Sequence, residues 1–215
     1  MAVNNAWSLV RPHLWMSVDT PGSFLDTGWM DGGILKIVPG AAANRRIVVR
    51  DEKGIKREGP LVQHCPGVLH FVRDDTFDHT EFFEGNLCSW GSMGREPDSL
   101  GLKGTRSVML CALKVAWWLG FGPVYLLGCD FKMPTIGAPY AFDQDKSESG
   151  RASNNHAYRV HAKRLESLKL PSGFEVFNCN PDSGLKCFPH VPLEEAIEKH
   201  RMDHEWRLKT EGWYK

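Results

Sequence analysis

An α/β fold built on parallel βαβ units is what this sequence predicts, and three observations predict it. Val108, Cys111, Ala112, Val115 and Leu119 fall on one face of a helix. A tight glycine turn follows, and then the uninterrupted apolar run 124–127 (Val-Tyr-Leu-Leu), the pattern of a parallel strand covered on both faces. Gly128, Asp130 and Lys132 stand just past that strand, where ligands of open α/β sheets bind.

The other elements follow in order. Residues 14–18 read as a short strand ended by Asp19-Thr20-Pro21-Gly22, because proline and glycine force a turn. Residues 34–38 and 47–49 are two more short strands, and 68–72 fits another. The charged, glycine-containing stretch 51–58 between them is expected to be an exposed hairpin or loop. Residues 76–101 mix aromatics with Gly85, Gly91, Gly94 and Gly101 and show neither helical nor strand period, which suits a loop over a cleft and a plain surface connection equally. After the central strand, 133–153 is polar and lid-like, with an apolar interruption at 139–142. A helix is expected from about Asn155 to Leu168, ended by Leu170-Pro171, then a strand at 174–178 and a strong turn at 180–184. Pro192 opens a last helix at a position that tolerates its missing N–H, and 192–215 forms a charged helical tail that frays. All 215 residues are read as one domain, without internal repeats.

Composition narrows the function. With 26 basic against 26 acidic residues there is no global charge to favour nucleic acid, which is not an expected partner. No stretch of about 18 apolar residues could span a bilayer, and no basic-then-apolar leader opens the chain, so a cytoplasmic protein without a membrane span is expected. Six cysteines in a chain of this size do not make a disulfide framework. Cys111 and Cys129 read as small buried apolar residues, and the group Cys179, Cys187, His190 matches no zinc spacing, so no metal is assigned.

Several segments carry a resemblance. Gly104-Thr105-Arg106-Ser107, residues 125–131, Pro139-Tyr140-Ala141-Phe142, Asn155-His156 and Asn180-Pro181-Asp182-Ser183 occur in an order similar to that of the bacterial lipooligosaccharide sialyltransferases that use CMP-sialic acid. They also resemble the related Rossmann-type domains of the archaeal 6-hydroxymethylpterin pyrophosphokinases. The match covers about residues 100–190. Val3-Asn4-Asn5 and Val18-Asp19-Thr20-Pro21-Gly22 extend it weakly, each like a strand end of the family. The family's Gly-Asn-Gly-Pro-Ser loop, whose amides approach the nucleotide, has no counterpart from Met1 onward, so phosphate must be held differently or the reading frame is truncated.

The resemblance implies a Rossmann-like three-layer fold with a mainly parallel central sheet, sialyltransferase-like, and it assigns roles. His156 matches the family's general base, since a neutral imidazole can take the proton of an attacking hydroxyl, although it also suits the flank of a helix start. Tyr140 matches a tyrosine that hydrogen-bonds the leaving phosphate, or packs under the lid. Lys132 stands where the family has a second such tyrosine and could act as a point charge, or is solvated. Thr105, Arg106 and Ser107 offer an anion a hydroxyl, a guanidinium and helix N-terminal amides. Asp130 suits a ribose, a sugar hydroxyl or a metal, or simply accepts amide hydrogens from neighbouring loops; Asp19 and Ser183 suit the same cleft or simple turn chemistry, Asn155 suits substrate or an N-cap, and Asn4 suits a base edge or a disordered terminus. Eight tryptophans could stack on sugars, although Trp117 and Trp118 read as core or interface.

No Walker loop, nucleophile elbow or His-Glu-x-x-His occurs. The expected function is transfer of a sugar from a nucleotide-activated donor to a glycan acceptor without a cofactor. The alternatives are a pyrophosphokinase-type transferase using Mg²⁺ at Asp19 or Asp130, and a non-catalytic domain that binds glycan or protein. A homo-oligomer is left open.

Overall fold

The computed structural model describes residues 1–71, 79–84, 107–134, 136–137 and 147–200. Thr105, Arg106, Tyr140, most of the 76–101 segment and the tail from residue 201 lie outside the described residues.

The chain is a mixed α/β protein organised on two parallel ladders. The first is a sheet of four strands: β1 (Ala2–Val3), β2 (Leu14–Met16) and β3 (Leu35–Pro39), followed by β6 (Val68–Phe71) at the far side of β3. Every pairing in it is parallel, with Ala2 opposite Trp15, Trp15 opposite Lys36 and Lys36 opposite Val68. The second ladder pairs β7 (Pro123–Leu126) with β8 (Glu175–Asn178), also parallel. Between β3 and β6 the chain makes an antiparallel hairpin of β4 (Arg46–Arg50) and β5 (Lys56–Leu61), which resolves the charged 51–58 stretch as a hairpin turn and strand.

Helix α2 (Val108–Trp118) joins the ladders. Its Cys111 and Val115 pack with Met16, Ile37 and Phe71 of the first ladder. Its Leu110, Leu113 and Ala116 pack with Leu126, Phe174 and Val176 of the second. A helix about 10 Å wide covers two strands, so both flanks of α2 are buried and it is apolar nearly all round. The start of α2 follows from Ser107, whose hydroxyl accepts a hydrogen bond from the Met109 N–H.

A third cluster closes the other face of the first ladder. Trp15 stands edge-on to both Phe24 and Trp29, the latter at 4.9 Å between ring centres. Trp29 comes from α1 (Asp26–Met30), a single helical turn too short to show any period in the sequence. Lys36 is fully buried in β3, and its ammonium donates to the carbonyls of Asp31 (2.6 Å), Ile34 (3.0 Å) and Pro66 (2.8 Å). Three donors meet three acceptors, so the buried charge is solvated by backbone.

Two sequence expectations change. The run 124–127 is not covered on both faces: Val124 and Leu126 turn to the core, Tyr125 stacks on Phe177 beneath His200, and Leu127 is 60% exposed. The ladder ends at the Leu126–Asn178 pair and Gly128 bends the chain away with a φ of 64°, so Leu127 has no strand to pack against. Among the described residues β8 is the one ladder partner of β7, so an interior position for β7 is not seen. Helix α3 (Glu148–Ser167) begins seven residues before the expected start at Asn155, inside the segment read as a lid. Ser147 caps it, accepting from the Gly150 N–H, a signal that the polar composition of the stretch hides. The last helix, α4 (Leu193–Lys199), starts after Pro192 as expected.

Candidate carboxyl-end site

Strands of one direction bring their carboxyl ends together on one rim of each ladder. Two non-glycine residues among those described have positive φ, Asn4 at 49° and Phe131 at 51°. Both follow the carboxyl end of a parallel strand. The left-handed conformation costs an L-residue roughly 1–2 kcal/mol, and such residues cluster where a chain is held for a ligand.

At the rim of the first ladder, Asn4 follows β1 and is half-buried. Its side-chain oxygen accepts from the Ser17 hydroxyl at 3.2 Å, which in turn accepts from the Asp19 N–H at 3.2 Å. Asn4 and Asp19, from two different strand ends, are thus linked through one serine. The Asn4 carbonyl accepts from the Trp15 indole at 2.7 Å, which anchors the left-handed residue. Asp19 is exposed.

At the rim of the second ladder, Asp130 is exposed and its carboxylate accepts a short hydrogen bond from the Asn180 amide. The Gly184 N–H donates to the Asp130 carbonyl at 2.6 Å. Ser183 is buried; its hydroxyl donates to the Cys129 carbonyl and accepts from the Leu185 N–H, so it fastens the turn 180–184 to the β7 end. The Asn-Pro-Asp-Ser turn is therefore a brace for Asp130. Lys132 is exposed beside it. Asn155 clamps the next residue, accepting from the Met133 N–H (2.7 Å) and donating to its carbonyl (3.2 Å), and so ties α3 to the same rim.

His156 follows Asn155 but turns to solvent. Ala152, His156, Arg159, Lys163 and Glu166 make one exposed stripe of α3, while Asn155, Tyr158, Ala162 and Leu165 face inward. The imidazole is open to an incoming molecule at the level of the Met133 clamp. Ser107 is an N-cap whose acceptor is used by α2, and Thr105, Arg106 and Tyr140 lie outside the described residues.

The thiols around this rim are poor nucleophiles. Burial and the nearby Asp130 push Cys129 up to about 12, and burial with Glu166 pushes Cys187 up to about 11. Among the described residues no three His, Cys, Asp or Glu side chains converge, Cys179, Cys187 and His190 included. No described helix is long and apolar enough to cross a membrane.

Sequence reasoning missed a cleft elsewhere. A cavity of about 320 Å³ lies near the amino end of β8, between Trp117, Phe83, Leu170 and Ser172, with Lys169 and Glu84 on its wall. It is built from three distant segments, which no local pattern could join. Compared with protein-family models, with curated proteins and with solved structures, the chain gives no match.

Proposed function

We propose that this chain is a glycosyltransferase-like enzyme on a Rossmann-like, sialyltransferase-type layout, which binds a nucleotide-activated sugar across the carboxyl ends of its parallel strands and passes the sugar to an acceptor hydroxyl. The observation that carries the reading is the placement of both left-handed non-glycine residues, Asn4 and Phe131, at those strand ends. Asn4 would meet the base, since its amide nitrogen is not used by Ser17. Asp130, steadied by Asn180, would accept sugar or ribose hydroxyls. Lys132 supplies a positive charge for the phosphate. His156 is the base: the acceptor hydroxyl gives it a proton, the oxygen attacks the anomeric carbon, and the bond to the phosphate oxygen breaks as the nucleotide leaves with the electron pair.

A second reading rests on Asp19 and Asp130, two exposed carboxylates at the ends of different ladders, which suit a magnesium-bound nucleotide in pyrophosphoryl transfer. Thermal melting with CMP, CDP, UDP, GDP and ATP, with and without magnesium, separates the readings. A ligand at about 100 times its dissociation constant adds roughly 2.7 kcal/mol. Stabilisation by a cytidine nucleotide in EDTA, with transfer falling about 10² to 10⁴-fold in His156→Ala, is the expected result. Stabilisation by ATP only with magnesium favours the pyrophosphokinase, and no stabilisation by any nucleotide leaves a glycan- or protein-binding domain.

A further inference from the structure

We propose that the tip of the β4–β5 hairpin docks on an anionic phospholipid surface. This goes beyond the reading of the carboxyl-end site and does not depend on it. The chain as a whole is electrically balanced, yet residues 45–57 hold six basic side chains against Asp51 and Glu52. Arg57 is paired with Asp51 at 2.9 Å, and Arg46 lies 3.6 Å from Glu58. Arg45, Arg50, Lys53 and Lys56 have no carboxylate partner among the described residues. Arg50 and Lys56 moreover stand directly opposite one another in the ladder. Like charges in that position repel, and among the described residues no carboxylate pairs with either.

Arg45 lies at the root of the hairpin, and the tip holds Lys53 and Lys56 on a fixed frame. The Asp51 carboxylate accepts from the Lys53 N–H (3.0 Å), the Ile55 N–H (2.9 Å) and the Arg57 guanidinium, and Gly54 takes a φ of 75° that closes the turn. Asp51 is consumed inside the turn, which leaves Glu52 as the tip's remaining acid against Arg50, Lys53 and Lys56. Ile55 lies between Lys53 and Lys56 in the chain and is 54% exposed. An exposed apolar side chain flanked in the chain by two lysines matches the bilayer boundary, where the side chain enters the acyl region and the cations meet headgroup phosphates. Single-stranded nucleic acid fits less well, because residues 44–61 contain no aromatic side chain to stack on a base, and on a duplex Ile55 would be left against phosphate and water.

The body of the hairpin is held by the rest of the chain. Val48 of β4 packs on Gly22, in the turn that follows Asp19, with the closest approach to a Cβ built there being 3.0 Å. The hairpin is therefore braced against the turn that follows β2.

Vesicle sedimentation with the full chain tests this, using phosphatidylcholine alone and phosphatidylcholine mixed with phosphatidylserine, at low and physiological salt. Binding is expected only with phosphatidylserine and should weaken as salt screens it. Lys53→Glu with Lys56→Glu should lower the bound-to-free ratio by about tenfold or more, and Ile55→Ser by a few-fold, with the melting temperature unchanged. Should charge reversal disturb the turn, Lys53→Gln with Lys56→Gln gives the same comparison. Equal binding to both vesicle types, no binding at low salt, or binding indifferent to these substitutions overturns the proposal. Tighter binding to a DNA duplex that ignores Ile55→Ser overturns it in favour of nucleic acid.

Discussion

The two parallel ladders treat a buried basic nitrogen in opposite ways. In the first, Lys36 keeps its ammonium by surrounding it with three backbone carbonyls, even though burial lowers its proton affinity. Over the second, His161 on α3 has a buried ring Nδ1 with no hydrogen-bond partner, and burial with the neighbouring Arg164 pushes it down to about 4. One group keeps its charge among three carbonyls, and the other is held neutral by burial and a neighbouring positive charge. The first ladder thus holds its buried lysine in a polar knot, while the helix over the second carries an imidazole nitrogen without a partner.

Breaking the knot should have the largest effect. Lys36→Met keeps the volume but strands the carbonyl oxygens of Ile34 and Pro66, each costing about 1–3 kcal/mol when left unpaired, while the Asp31 carbonyl keeps the Ile34 N–H, so a loss of about 2–4 kcal/mol is expected in urea unfolding. Lys36→Arg should not restore it, because a planar fork cannot address three converging carbonyls. A loss under about 1 kcal/mol with Met would show that the carbonyls find other donors.

The orphan gives a pH signature that Lys36 does not. A histidine whose folded pKa lies below its unfolded value binds its proton more readily in the unfolded chain. Its stabilising contribution is thus complete above about pH 6.5 and is lost as pH falls toward 4, by up to about 3 kcal/mol. His161→Phe should flatten the stability profile across that window, measured by denaturant titration at several pH values. A profile of unchanged slope would mean that the ring finds a partner on protonation.

The same contrast explains what was legible in the sequence. Strands β2, β3, β4, β6 and β8 stand out because apolar runs end at proline, glycine or aspartate, and Ser107 marks the start of α2 beside its apolar face. Asp19 and Asp130 could be placed at strand ends from such runs, and Asn4 only through the resemblance of residues 3–5 to a strand end of the family. Lys36 could not be recognised, since a lysine in a strand normally marks a solvent face and one of its acceptors, Pro66, is 30 residues away. Phe131 gives no hint of its positive φ, because aromatic residues rarely adopt it. The role of Ser183 was hidden in turn chemistry: its partners lie 53 and 54 residues back along the chain. The exposed side of His156 follows from the helical register of α3, which the polar stretch 148–154 concealed.

The rims differ in how tightly they are held, and the smallest prediction turns on that difference. Asn4 is fixed by its carbonyl and one serine contact, whereas the segment through Phe131 is pressed from outside. A Cβ placed on Gly184 would lie 2.8 Å from the Phe131 carbonyl oxygen, closer than carbon and oxygen tolerate. Gly184→Ala must therefore push the brace off the strand end or twist Phe131 further, at a cost of about 1–3 kcal/mol. The hydrogen bond from the Gly184 N–H to Asp130 and the grip of Ser183 on Cys129 loosen with it, so Asp130 loses its fixed orientation while no ligand-facing group is removed. Asn4→Gly, by contrast, relieves a left-handed residue and should change stability by less than about 1 kcal/mol in either direction. Hydrogen exchange at residues 128–133 and 179–185 reads the outcome directly: faster exchange confined to those segments in Gly184→Ala, with the first ladder untouched, is expected. Exchange that rises equally in both ladders would mean that α2 transmits the strain and that the two rims behave as one unit.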